Sequence, residues 1–194
     1  MSGRTGFAKS LIEQGQNVEV ASPNGGHLHP LHLAAMSGHA DTALLLLRSR
    51  AQIAARSQDG RTPVHMAAAS GHQSVVRLLL NWSAEAAAQD LHGRYPAHLA
   101  AYSGQAAIVD MLDANPESAI RRETFDGSTM LHAAASGNRV EMVSILLQRR
   151  APVDSATMHG TQALHIAAEL GHRAIVKLLL RSRGFVNVYT RESE

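Results

Sequence analysis

Apolar residues return along the chain in short clusters at helical spacing. Val75, Val76, Leu78 and Leu79 form one cluster, and Ile175, Val176, Leu178 and Leu179 form another, each reading as one buried stripe of a helix. Ahead of every cluster lies a shorter stretch carrying paired alanines: Ala34-Ala35, Ala67-Ala68, Ala100-Ala101, Ala134-Ala135 and Ala167-Ala168. Alanine adds so little bulk that two helices approach closely there. Gly38, Gly71, Gly104 and Gly171 fall between stretch and cluster, where a left-handed residue suits the end of a first helix. The pattern predicts helix–turn–helix pairs.

The pairs are in step. His29-Pro30-Leu31-His32, Thr62-Pro63-Val64-His65, Tyr95-Pro96-Ala97-His98, Thr129-Met130-Leu131-His132 and Gln162-Ala163-Leu164-His165 follow one another at intervals of 33, 33, 34 and 33 residues. A fixed period of this size signals a solenoid. The proline column opens the first helix, where a missing N–H costs nothing. In the fourth unit the glycine comes one residue early, at Gly137, and Asn138 holds the turn slot; asparagine is the next best left-handed residue, so a turn of altered geometry is expected. The extra residue between the third and fourth units is placed near Asp113-Ala114-Asn115-Pro116. Gly60, Gly93, Gly127 and Gly160, five before each histidine, mark a tight turn in the link between units; His27 holds that slot in the first unit, behind a longer Pro23-Asn24-Gly25-Gly26 tip.

The T-P-L-H-x-A start and 33-residue period resemble the ankyrin repeat, over nearly the whole chain from Phe7 to Glu194. The resemblance implies an all-α ankyrin-repeat solenoid of helix pairs linked by short β-hairpin fingers. Five repeats are expected, at 27–59, 60–92, 93–126, 127–159 and 160–194, after an N-terminal partial repeat and first finger at 1–26. Leu11, Ile12 and Val18 match the second helix and finger of that partial unit. The fifth unit's second helix is as apolar as the internal ones and the chain stops at Glu192-Ser193-Glu194, so the expectation is a fragment of a longer array or a protomer with covered ends.

With 45% hydrophobic residues and a formal charge of +2, the chain is too apolar and too neutral to be disordered. No window is long and apolar enough for a membrane span, and the start, Met1-Ser2-Gly3-Arg4, leads into no signal-peptide core, so an intracellular chain without membrane insertion is expected, cytoplasmic or nuclear. The absence of cysteine removes disulfides, thiolate zinc sites and cysteine nucleophiles. Twelve histidines, among them His27-x-His29-x-x-His32, invite a metal reading. The repeat absorbs most of them: His32, His65, His98, His132 and His165 at the helix start, and His39, His72 and His172 after the turn. The resemblance makes these structural, bonding backbone groups of neighbouring units, and no thiolate or carboxylate cluster completes a tetrahedral metal site. Neither G-x-S-x-G, H-E-x-x-H, G-x-x-x-x-G-K-[ST] nor G-x-G-x-x-G occurs in the required setting, so no catalytic residue, metal or cofactor is assigned.

The resemblance implies a non-catalytic module for protein–protein interaction, whose binding positions lie on the fingers and first helices lining a concave groove. Carried onto this sequence, those positions are Gln58, Arg61, Leu91, His92, Arg94, Tyr102, Ser103, Phe125, Ser128, Met158, His159, Glu169 and Leu170. Leu91, Phe125 and Met158 would put large apolar groups on three successive fingertips, as an interaction surface does. The bland alternative is that they pack on one another. His32, His65, His98, His132, His165, Gly38, Gly71, Gly104, Asn138 and Gly171 are the structural set. Two other functions stay open. Arg48, Arg50, Arg149, Arg150, Arg181 and Arg183 at the ends of second helices suit nucleic acid or acidic lipid, although cations also simply suit a helix C-terminus and only Trp82 offers stacking there. The array could also be the regulatory part of a longer enzyme or channel.

Overall fold

A computed structural model describes residues 18–22, 26–112 and 120–191, with side chains as far as residue 182. The partial unit before Val18, the Pro23–Gly25 part of the first tip, the Asp113–Pro116 insertion and the Glu192–Glu194 end lie outside the described residues. Ten helices among them run in pairs: α1 (Pro30–Met36) with α2 (Ala40–Arg48), α3 (Pro63–Ser70) with α4 (Gln73–Asn81), α5 (Pro96–Ser103) with α6 (Ala106–Leu112), α7 (Met130–Ser136) with α8 (Val140–Gln148), and α9 (Ala163–Glu169) with α10 (Arg173–Arg191). The first helices stack in one row, α1 on α3 on α5 on α7 on α9, and second helices pack behind them. Close stacking follows from the alanine pairs, of which Ala67, Ala68, Ala100, Ala101, Ala134 and Ala135 are fully buried. The core is one strip between the two rows, with Val75, Val76, Leu79, Ile108, Val143, Leu146, Ile175 and Leu179 from the second helices.

Each first helix is started and locked by its histidine. In α3, Pro63 holds the first position, and the N–H of Thr62 donates to His65 Nδ1 at 3.1 Å, with the Thr62 hydroxyl 2.9 Å from the same nitrogen. That bond leaves the ring proton on Nε2, which donates to the Arg94 carbonyl of the next unit at 3.0 Å. The same pair recurs at His32, which reaches the Arg61 carbonyl, and at His132, which reaches Thr161. His165 accepts from the Gln162 N–H in the same way. The third unit departs. Tyr95 stands where the second and fourth units have threonine, its ring stacks on His98 with centroids 5.5 Å apart, Arg122 lies over the ring, and His98 Nδ1 is buried without a partner among the described residues. Its Nε2 donates to the Arg122 carbonyl at 3.2 Å.

A second lock sits at the turns. Gly38, Gly71, Gly104 and Gly171 are left-handed, and Asn138 joins them with φ of 56°. The expectation of altered geometry there is corrected: Asn138 and Arg139 donate to Ala135 and Ala134, matching the bonds from Gly71 and His72 to Ala68 and Ala67. Asparagine tolerates the left-handed conformation, so the turn keeps its form. Gly137 has its own reason, because a Cβ there would sit 2.0 Å from the Tyr102 carbonyl oxygen. The side chain after each turn then lies over the preceding unit's glycine. His72 covers Gly38 and reaches the Met36 carbonyl at 3.0 Å, and Arg139 covers Gly104 and donates to the Tyr102 carbonyl at 3.0 Å.

The fingers are slighter than hairpins. Each closes with two backbone bonds at the tip, Ser57 to Arg61 with Gly60 to Ser57, Asp90 to Arg94 with Gly93 to Asp90, Thr124 to Ser128 with Gly127 to Thr124, and Thr157 to Thr161 with Gly160 to Thr157, and one isolated antiparallel bridge, Ala156 with Gln162, is formed among the described residues. The arms are too short for a ladder, so further backbone bonds run between fingers: Gln58, Leu91, Phe125 and Met158 donate to Gly26, Asp59, His92 and Asp126 of the preceding finger. The last helix also differs, for α10 runs 19 residues where the other second helices run seven or nine. Elsewhere Ala51, Ala84 and Ala151 turn the chain by bonding back to Leu46, Leu79 and Leu146; the matching position here, Gly184, lies inside the helix.

Candidate functional site

The fingers and first helices of the second, third and fourth units, with Ile166 from the first helix of the fifth, enclose a groove of 880 Å³. Its finger wall is made by Arg61, Leu91, His92, Arg94, Thr124, Phe125, Asp126 and Ser128, and its helix wall by Ala69, His98, Leu99, Tyr102, Ser103, Thr129, His132, Ala133, Ser136 and Ile166. Of the positions singled out from the sequence, the structure gathers Arg61, Leu91, His92, Arg94, Tyr102, Ser103, Phe125 and Ser128 here. Gln58 lies on the preceding finger, and Met158, His159, Glu169 and Leu170 lie beyond the groove, all five exposed. Sequence reasoning missed Leu99, Ala133 and Ile166. All three directly follow a repeat histidine, and a helix puts that position on the same face as the residue three further on, which in the third unit is Tyr102. It also missed Asp126, which shares a column with His92 and His159.

The fingertips are held and exposed at once. Leu91 rests its side chain over Gly60 of the preceding finger and Phe125 over Gly93, where a Cβ would come within 2.9 and 2.5 Å of them. Glycine is needed there twice over, for φ near +74° and for that close approach. Leu91, Phe125 and Met158 nonetheless stay 66%, 62% and 75% exposed. Packing on a neighbour therefore accounts for a minor part of their surface. Tyr102 and Leu170 are half exposed on the helix side.

One buried acid organises the basic end. Asp90 is 3% exposed and accepts from the His92 and Arg94 backbone N–H groups at 2.9 Å, and from Arg94 Nε and a terminal guanidinium nitrogen at 2.8 Å. Burial alone would raise its pKa, but these hydrogen bonds outweigh burial and hold it below the ordinary carboxylate value. Ser57, Thr124 and Thr157 close the equivalent turns with a hydroxyl. Asp126 accepts from the hydroxyls of Thr124 and Ser128 and from the Ser128 N–H, and the same balance lowers its pKa. The buried histidines stay neutral. Burial pushes His65 and His98 down to about 4 and lowers His32 and His132, overcoming the carbonyl each of them bonds.

His27, His29 and His32 lie near one another, with ring centroids 6.1 and 5.6 Å apart in succession. His29 faces Glu19 at 3.2 Å, while His32 is committed to backbone on both nitrogens. Among the described residues no three His, Asp or Glu side chains converge as metal ligands. Arg48, Arg50, Arg149, Arg150 and Arg181 do not line the groove, and Arg149 pairs with Asp110; the Arg183 side chain lies outside the described residues. No helix among the described residues is long and apolar enough to cross a membrane.

A family model described as ankyrin repeats (3 copies) matches residues 31–123 and, overlapping, 97–190. The chain belongs to the ankyrin-repeat family. A comparison with curated proteins gives no significant match. Ankyrin repeats are in general modules for protein–protein interaction, typically without catalytic activity. In this ankyrin-repeat chain the lock histidines His98 and His132 form the buried back of the groove, joining one unit to the next, and the exposed side chains of Leu91, Phe125 and Tyr102 are left to face outwards.

Proposed function

We propose that this chain is a non-catalytic module that binds a partner protein in the groove of its second to fourth units and along its fingertips to Met158. The row of exposed apolar fingertips carries this reading. The finger-to-finger backbone bonds hold the main chain of Leu91, Phe125 and Met158 in place, so ordering of the loop is not lost again when a partner covers them and the side-chain rotamers alone remain to be fixed. Covering the two-thirds or so of each side chain that is exposed would gain about 3–6 kcal/mol before association costs. Gln58, His159, Glu169 and Leu170 extend the surface at either end, and Arg61, Arg94, Ser103 and Ser128 add polar selectivity within it.

The test compares partners captured from a lysate by the wild-type chain and by a Leu91→Ser, Phe125→Ser, Met158→Ser variant of equal helicity. A protein retained by the wild type and lost from the variant is expected. Identical captured sets would refute the groove and move attention to the arginine-bearing helix ends.

A further inference from the structure

Two buried polar side-chain atoms lack a hydrogen-bond partner among the described residues, Arg61 Nε and His98 Nδ1, and both residues line the groove. His98 is explained by Tyr95, whose ring stacks on it where the second and fourth units have a threonine hydroxyl. Arg61 is not. Its Nε stands 3.7 Å from Asp90, too far for a hydrogen bond, because Arg94 and two backbone N–H groups have taken both oxygens of that carboxylate. Two guanidinium groups thus share one acid, leaving a surplus positive charge and an unsatisfied donor beside Leu91 and Tyr102. The Nε itself is closed off from solvent, but the Arg61 side chain is 27% exposed and lines the groove, so its guanidinium presents the surplus charge to a carboxylate arriving from outside, which would answer it with a charge-assisted bond.

Resting on the protein-binding reading above, we propose that the groove takes an acidic–apolar peptide segment of the partner, one carboxylate on Arg61 and large apolar side chains against Leu91, Phe125 and Tyr102. The segment is read through its side chains, since the Leu91 and Phe125 N–H groups are already given to Asp59 and His92 and offer no free edge for an added strand. A polyanion such as RNA fits less well. Further along the same finger wall stands the exposed Asp126, which would repel a run of phosphates but tolerates a single carboxylate placed at Arg61.

Immobilised full-length chain would be offered short degenerate peptide pools alike except for a central Glu, Gln or Lys, and the retained sequences read. The Glu pool should be retained about tenfold over the Gln pool, with Leu, Phe or Trp enriched around it. Arg61→Gln should abolish that preference while apolar enrichment persists. Its fold is checked by the unfolding midpoint, since the Arg61 carbonyl bonded to His32 belongs to the backbone. Should that variant fail to fold, the wild-type Glu-to-Gln ratio decides alone. Equal retention of Glu and Gln pools, Glu preference surviving in Arg61→Gln, or displacement of the Glu peptides by single-stranded RNA would each overturn the proposal. Apolar enrichment without an acidic preference overturns this inference and leaves the groove intact. Absence of any selection lost on Leu91→Ser, Phe125→Ser overturns both.

Discussion

Acidification from about pH 7 to about pH 5 should unlock the solenoid at its histidines before any carboxylate is neutralised. His65 and His98 titrate near 4 in the folded chain because they are buried, against about 6.5 when unfolded. A histidine whose folded pKa is depressed binds more protons when unfolded, so stability is complete above about 6.5 and is lost as pH falls towards 4. At about pH 5 the unfolded ring is almost wholly protonated and the folded one almost wholly neutral, a difference of about 2 kcal/mol for each, or about 4 kcal/mol for the two. His32 and His132, also lowered, add to the loss. Asp90 and Asp126 stay out of this window, since their folded values lie below the ordinary 3.8. A loss of about 4 kcal/mol is a large share of the roughly 5–15 kcal/mol that holds a domain together. Urea unfolding followed by circular dichroism should show the midpoint falling by about 2 M over this range. His65→Gln should be less stable at neutral pH and lose about 2 kcal/mol less on acidification. A midpoint that does not move, or an undiminished pH slope in His65→Gln, would refute the buried neutral histidine.

Replacing Gly137 with Ala sets a Cβ 2.0 Å from the Tyr102 carbonyl, which should cost about 3 kcal/mol, whereas Gly160→Ala meets nothing and should cost about 1–2 kcal/mol for its left-handed φ; denaturant titration of both compares them. Gly104→Val strains a φ of +78° and drives into Arg139 Cδ, so the third and fourth units should uncouple and unfolding become multi-step; a single transition at the wild-type midpoint would count against nearest-neighbour coupling. His65→Ala leaves the Arg94 carbonyl and the Thr62 N–H unpaired and opens a cavity, costing about 2–4 kcal/mol in the same titration. The triple fingertip variant should change stability by less than about 1 kcal/mol, because most of each side chain already faces solvent; a larger loss would mean that the fingertips hold the fold together.

The period, the helix pairs and the inner row of alanines were legible because a repeat writes each local demand five times. Proline at the helix start, histidine two residues later and glycine six after that each answer a constraint of backbone geometry within a few residues, and coincidence in several registers separates signal from chance. The column directly after the histidine was legible by the same helical arithmetic, yet Leu99, Ala133 and Ile166 enter the groove wall only once their neighbours are in place. Other features have no local signature. That each fingertip N–H is given to the finger before it, and that Gly137 serves Tyr102 instead of its own turn, depend on contacts about 33 residues apart. The Arg61 that shares Asp90 without a hydrogen bond to it is of this kind. Sequence alone shows two arginines and an aspartate on neighbouring fingers, and only the packing of one finger on the next decides which arginine the acid satisfies and which is left for a partner.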